Sequence, residues 1–90
     1  MALSSTQVAV ANASASALVA ASGVAQTVWL RNDDATNHVY LGASNAVTTS
    51  TGHKLAASST IGPITLMPGD ALWGRANAGT PTTTVFVTAY

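Results

Sequence analysis

Residues 37–74 alternate short apolar runs with turn-forming Gly, Pro, Asn and Asp, a spacing that favours short strands over longer elements. Val39–Gly42 has the composition of one strand, and Ile64–Leu66 and Ala71–Trp73 supply strands on either side of Pro68–Asp70. The Pro-Gly-Asp sequence predicts a tight turn, because Pro presets the first turn angle and Gly tolerates positive φ. The stretch therefore predicts a compact all-β module.

The same alternation continues on both sides of this stretch. Gln26–Arg31 places Val28 and Leu30 on one face, and we predict that it pairs as a hairpin with His38–Leu41, with Asn32 to Asn37 as its polar turn. Thr82–Tyr90 alternates in the same way and is the clearest strand of the chain. The pattern gives about eight short antiparallel strands at intervals of roughly ten residues, which is typical of a small β-sandwich or a jelly-roll-like barrel.

The length of the chain predicts a single β domain that covers residues 1–90. Residues 1–12 are interpreted either as the first strand or as an N-terminal arm. Many alanines near the start would suit a helix, but the apolar positions there do not keep a helical stripe. Pro63 lies within the strand predicted at residues 60–66, which predicts an edge strand or a bulge because Pro cannot donate to a central ladder.

The charge content excludes several classes of partner. Charged residues make up 7% of the chain, and the net charge is zero. Arg31, Lys54 and Arg75 are scattered along the sequence, so we expect no nucleic-acid partner, which would need clustered basic residues. No segment approaches the roughly 20 apolar residues that span a bilayer, so we expect no membrane partner. No Lys or Arg precedes Arg31, which argues against a signal peptide and predicts synthesis in a cytoplasm.

The predicted hydrophobic core is small, because 18 of the 43 residues counted as hydrophobic are Ala. Burial of a larger apolar side chain contributes about 1.5–3 kcal/mol, against an ordering cost of about 1.5 kcal/mol for every residue. The chain contains no Cys, so disulfides cannot add stability. We therefore expect the protein to be a homo-oligomer.

The titratable side chains form no recognisable catalytic or metal-binding set. The histidines are His38 and His53, and the carboxylates are Asp33, Asp34 and Asp70. Their spacing does not predict the nucleophile, base and acid of a hydrolytic triad, or the convergent ligands of a metal site. We predict that the protein is not an enzyme and has no metal and no cofactor. The aspartates are interpreted as turn residues.

Two Trp-x-Arg motifs are the most informative surface candidates. Trp29 and Arg31 share one face of their strand, and Trp73 and Arg75 share one face of theirs. The tryptophans could fill the ends of a small core under the arginine stems, form a protein interface, or stack against sugars. These four residues and Tyr40 are the interface candidates.

Several turn and strand motifs carry a resemblance to a known group of proteins. Val39–Gly42, Val47–Thr49, Thr51–Leu55 and Pro68–Trp73, followed by the closing strand, are similar to small all-β virion proteins of tailed bacteriophages. These proteins decorate capsids or form head fibres and related virion appendages. The resemblance covers about residues 26–90 and rests on structural motifs, so it implies a fold and a setting.

The resemblance implies a capsid decoration, or cement, protein that is synthesised in the host cytoplasm and lies on the capsid exterior of the virion. Its partners would be the major capsid protein and further copies of itself, with a homotrimer favoured. If the N-terminus is an arm, the candidate shell contacts are Ala2, Leu3, Ser4, Ser5 and Thr6. The alternative is a tail, fibre or baseplate module that binds host-surface carbohydrate through its exposed aromatic residues.

Overall fold

The computed structural model describes residues 2–89, which form eight strands. In chain order the strands are β1 (Ala2–Ala9), β2 (Ser16–Val19), β3 (Gln26–Asn32), β4 (Val39–Gly42), β5 (His53–Leu55), β6 (Thr60–Leu66), β7 (Leu72–Ala76) and β8 (Thr82–Ala89). The part of the chain that the structure describes contains no helix that is long and apolar enough to cross a membrane.

The strands form two four-stranded antiparallel sheets. Sheet I has the order β1-β8-β3-β6, and sheet II has the order β2-β7-β4-β5. Each strand lies beside its partner in a nested series (first with eighth, second with seventh, third with sixth, fourth with fifth), as in the connectivity of a jelly roll. The prediction of an all-β fold with about eight antiparallel strands is confirmed, while the choice between a sandwich and a barrel stays a prediction.

The predicted hairpin between Gln26–Arg31 and His38–Leu41 is wrong. Strand β3 pairs with β6 and β8 in sheet I, whereas β4 pairs with β5 and β7 in sheet II. Both strands bury alternate residues in one shared core, Val28 and Leu30 from β3 and Val39 and Leu41 from β4. Since the two strands belong to different sheets, the polar connection between them crosses from one sheet to the other, a distance of about 10 Å between packed sheets.

The buried apolar side chains of both sheets form one cluster. Its members alternate with outward-facing residues, as predicted for Val28 with Leu30 and for Val85 with Val87. Neither tryptophan belongs to this cluster, and both are half-buried on the outer faces. The core is therefore built from Val and Leu, and the aromatic side chains are left to the surface.

Three local predictions can be compared with the structure. Ala2–Ala9 forms β1, which pairs with β8 along its whole length, so this segment is a strand of sheet I instead of an arm. Pro63 lies in β6, an edge strand whose register against β3 shifts beside it, as predicted. The Pro-Gly-Asp turn is also confirmed: Gly69 has a φ of +90°, and the Asp70 N–H donates to the Met67 carbonyl at 2.9 Å.

Candidate functional site

The structure separates the interface candidates into two groups. Trp29 and Arg31 lie on the outer face of sheet I, because they alternate with buried residues of β3. Tyr40, Trp73 and Arg75 lie on the outer face of sheet II for the same reason. The five residues therefore form no single site, and their role as interface residues stays a prediction.

An aromatic pair occupies the centre of the outer face of sheet I. The rings of Trp29 and Phe86 are 5.7 Å apart between centroids and inclined by 52°, a favourable tilted arrangement. The indole of Trp29 also lies over Gly62 of β6, where an added Cβ would be 2.7 Å from Trp29 Cδ1. Phe86 was not among the sequence candidates, although its alternation with Val85 and Val87 places it on this outer face at 39% exposure.

Hydroxyl groups surround this aromatic pair. One row of cross-strand neighbours contains Leu3, Thr88, Thr27 and Thr65, running from β1 to β6. We call the whole surface the aromatic face, defined by Trp29 and Phe86 with the flanking residues Leu3, Ser5, Thr27, Thr65 and Thr84. It combines large apolar area with neutral hydrogen-bonding groups.

The charges that border the aromatic face neutralise each other. Arg31 Nε lies 2.6 Å from Asp33 Oδ1, and the other oxygen of Asp33 accepts a hydrogen bond from the Thr84 hydroxyl. The hydrogen bond from Thr84, followed by the one from Arg31, lowers the pKa of Asp33 below its ordinary value of 3.8. Arg31 therefore adds little net charge to this side of the molecule.

The outer face of sheet II has a different character. Trp73 is flanked across the strands by Ala17 and Gly42, so no large neighbour covers the indole from these two positions. In the adjoining row Tyr40 lies between Arg75 and Lys54. We call this surface the cationic face. The guanidinium of Arg75 binds backbone carbonyl oxygens, with Nε 3.1 Å from the oxygen of Asn12 and Nη2 3.4 Å from that of Ala13.

The carboxylates and His38 at the β3–β4 connection hold the backbone in place. Asp34 Oδ1 accepts hydrogen bonds from the N–H groups of Asn37 at 2.9 Å and Thr36 at 2.8 Å, which lower the pKa of Asp34. His38 Nδ1 accepts a hydrogen bond from the N–H of Ala57 at 3.1 Å. Within residues 2–89 no three His, Cys, Asp or Glu side chains come together as a metal site. That the protein is not an enzyme stays a prediction.

Asn32 was interpreted from the sequence as part of a turn, but its side chain is fully buried at the end of β3. Its amide donates to the carbonyl of Asn37 at 2.9 Å and to that of Leu55 at 3.3 Å, and its oxygen accepts from the Asp34 N–H at 3.1 Å. It thereby ties the β3–β4 connection to β5. The alternation of the strand does indicate this burial, since Asn32 lies two residues after Leu30 and four after Val28, which are both buried.

Two shallow depressions adjoin each other near the β4–β5 connection, with volumes of about 180 Å³ and 320 Å³. Both include Ala43 in their lining. The smaller one offers hydroxyls from Ser44 and Thr51, and the carboxylate of the larger one, Asp70, already binds the N–H of Met67 in its own turn. Neither depression presents the convergent polar groups of a typical ligand site.

The interface candidates therefore lie on the two outer faces, one aromatic and neutral and the other carrying Lys54 and Arg75. Comparison with protein-family models, with curated proteins and with solved structures found no match.

Proposed function

We propose that this chain is a structural virion protein of a tailed bacteriophage, which decorates the capsid and stabilises it by binding the outer shell as a homo-oligomer. The partner is the major capsid protein, and the location is the capsid exterior. The phage setting rests on the sequence resemblance given above. The jelly-roll strand order adds a fold-level analogy, because this connectivity is used by viral capsid domains.

The aromatic face is the observation that carries this proposal. Protein interfaces are enriched in aromatic residues at their centre and depleted of charge there. Trp29 and Phe86 supply such a centre, and the Arg31–Asp33 pair at its border is already neutralised. Docking this surface against a protein shell therefore removes apolar area from water without desolvating an unpaired charge.

Binding to the assembled shell, in preference to its free subunits, would stabilise the shell by mass action. Many copies on a symmetric lattice also add avidity to a modest contact, which suits a domain of 90 residues with a small interface. The trimer is favoured by the resemblance.

The test mixes the purified chain with capsids that lack it and measures co-sedimentation and the temperature of DNA release. We expect binding at a fixed ratio and release at a higher temperature. A double variant, Trp29→Ala with Phe86→Ala, should lose at least about 30-fold in affinity, since truncating even one central aromatic hot spot costs about 2 kcal/mol. Trp73→Ala is the matched control and should bind normally. Equal heat resistance of decorated and bare particles would refute the cement role.

The second candidate is a tail, fibre or baseplate module that binds host-surface carbohydrate. Trp73 favours it, because the small neighbours Ala17 and Gly42 leave room for a sugar ring beside the indole. Jelly-roll connectivity is also found in lectins, again as a fold-level analogy. A glycan screen discriminates between the candidates: specific binding that Trp73→Ala abolishes and the Trp29→Ala, Phe86→Ala pair retains would support this function over decoration.

A further inference from the structure

The two sheets have four edge strands, and three of them are poorly suited to pairing with another chain. In sheet II, β5 is three residues long and carries His53 and Lys54, and β2 is four residues long with a register irregularity. In sheet I, β6 contains Pro63 and a shift in register against β3. Short length, Lys, Pro and bulges are the features that keep natural edge strands from adding further strands.

Strand β1, the other edge of sheet I, has none of these features. It is eight residues long, its register against β8 is unbroken, and it contains no charged residue, Pro or Gly. Ser4 to Gln7 are exposed although they alternate between the two faces of the sheet, and Leu3 is 65% exposed. The strand therefore projects beyond the cover that sheet II provides for the rest of sheet I.

The free side of β1 presents backbone hydrogen-bonding groups. In an antiparallel ladder alternate residues direct their N–H and C=O groups to opposite sides of the strand, so part of the backbone of β1 faces away from β8. Outside the ladders, none of the hydrogen bonds among residues 2–89 involves Ala2–Ala9. This edge can accept a further strand without any change in the fold.

We propose that β1 pairs in an antiparallel manner with β1 of a second copy of this chain, which joins the two copies of sheet I into one continuous sheet. The two copies are related by a two-fold axis perpendicular to the sheet, so a residue pairs with one on the same face. The registers with the longest overlap place Ser5 or Thr6 on the axis. In the register that places Ser5 on the axis, Leu3 of one copy faces Gln7 of the other, and Ser4 faces Thr6.

A second copy fits this edge for two physical reasons. A residue near a two-fold axis faces its own copy, so any charge there would repel itself, and β1 has no charge at any position. Among the described strands β1 is also the one open edge, since β6 is irregular. Pairing therefore stops at two copies, as in a closed isologous dimer, and cannot continue into a fibre.

This inference does not rest on the proposed decoration function. The paired edge leaves Trp29, Phe86 and the cationic face of each copy uncovered, so a shell or a glycan could still bind. A trimer would need a different surface, because one strand edge accepts one further strand.

Single cysteines test the pairing, because the chain has no Cys of its own. Residues directly opposed in an antiparallel pair have Cα atoms about 4.5–5.5 Å apart, which suits a disulfide. We expect Ser5→Cys or Thr6→Cys, whichever lies on the axis, to form a covalent dimer under mild oxidation. Thr65→Cys, exposed on the irregular β6 edge, is the matched control. The β1 variant should cross-link at least about tenfold faster, because pairing raises the effective thiol concentration.

Light scattering of the unmodified chain gives the second readout. We expect a dimer at millimolar concentration. Thr6→Lys, at an exposed position on the face of sheet I opposite to Phe86, should weaken its association at least about tenfold while circular dichroism shows an unchanged fold. Equal cross-linking of all three cysteine variants, or a monomer at every concentration, would overturn the proposal. If Thr6→Lys abolished shell binding by a monomeric protein, the edge would accept a capsid strand instead, because Thr6 does not lie on the aromatic face. Failure of shell binding with an intact dimer would count against the decoration function alone.

Discussion

The two Trp-x-Arg motifs both lie on the outer face of a central strand, β3 in sheet I and β7 in sheet II, yet their surroundings differ. In sheet I, Arg31 pairs with the carboxylate of Asp33, which the Thr84 hydroxyl also binds. In sheet II, Arg75 binds backbone carbonyl oxygens of the loop that precedes β2. The same three-residue pattern thus borders a neutral face in one sheet and a cationic face in the other. The partner of the arginine, more than the motif itself, decides the character of the surface.

The largest loss of stability is expected at Asn32, which follows the Trp-x-Arg motif of sheet I at the end of β3. Asn32→Ala should lower the free energy of unfolding by about 3 kcal/mol, because it creates a cavity and leaves buried backbone groups unpaired. The groups concerned are the Asp34 N–H and the carbonyls of Asn37 and Leu55. Urea denaturation measures the loss. Asn45→Ala, at an exposed position, is the control, and an equal loss in both variants would contradict the assigned role of Asn32.

The next largest loss of stability is expected from substitution of the glycine beside each motif, Gly62 next to Trp29 and Gly74 next to Trp73. Gly62 has a φ of +143°, and an added Cβ would lie 2.7 Å from Trp29 Cδ1 and 3.0 Å from the Val28 carbonyl oxygen. Gly62→Ala should therefore cost about 2 kcal/mol through backbone strain and should displace the indole. Gly74→Ala should cost about 1 kcal/mol through overpacking, because the added Cβ would lie 2.9 Å from the terminal Cδ1 of Leu18 and 3.2 Å from Val39 Cγ1, both side-chain atoms and not backbone.

Denaturation curves and tryptophan fluorescence measure both glycine variants. The emission of Gly62→Ala should change in the folded state, whereas that of Gly74→Ala should resemble the parent. A larger loss in Gly74→Ala would show that the core, and not the seat of Trp29, is the more tightly constrained side of the molecule.

The sequence predicted which residues face inward better than which strands pair. Alternation identified the buried series of β3 and β4, because a period of two depends on local chemistry. It could not reveal that these strands lie in different sheets, since a short polar connection suits a hairpin as well as a crossover. The sequence predicts a turn at Asn32 and misses its burial, because that burial depends partly on the carbonyl of Leu55 in β5, which is distant in sequence. The contact of Trp29 with Gly62 is equally non-local.

A smaller change, a gain in stability, is expected at Thr83, the residue opposite Asn32 in the pairing of β3 with β8. Thr83 is fully buried, but its hydroxyl has no hydrogen-bond partner among residues 2–89. Thr83→Val keeps the side-chain shape and removes a desolvated polar group, so it should raise the free energy of unfolding by about 1 kcal/mol. Calorimetry measures the change. A loss of stability would show that the hydroxyl is satisfied in solution and that both members of the pair are polar anchors.

The smallest effect tests the arginine partners directly, through pH. The lowered pKa of Asp33 means that its contribution is complete above its ordinary value of 3.8 and is lost as the pH falls through the folded-state pKa. The stability difference between the parent and Arg31→Met should therefore be present at neutral pH and shrink in acid. Arg75 binds carbonyl oxygens, which do not titrate in this range, so the difference for Arg75→Met should stay constant. Midpoints of urea denaturation, measured from neutral pH down to the lowest pH at which the parent stays folded, distinguish Arg31→Met from Arg75→Met. Parallel pH profiles for both variants would remove the distinction between the motifs, because they would show that the carboxylate of Asp33 does not set the behaviour of Arg31.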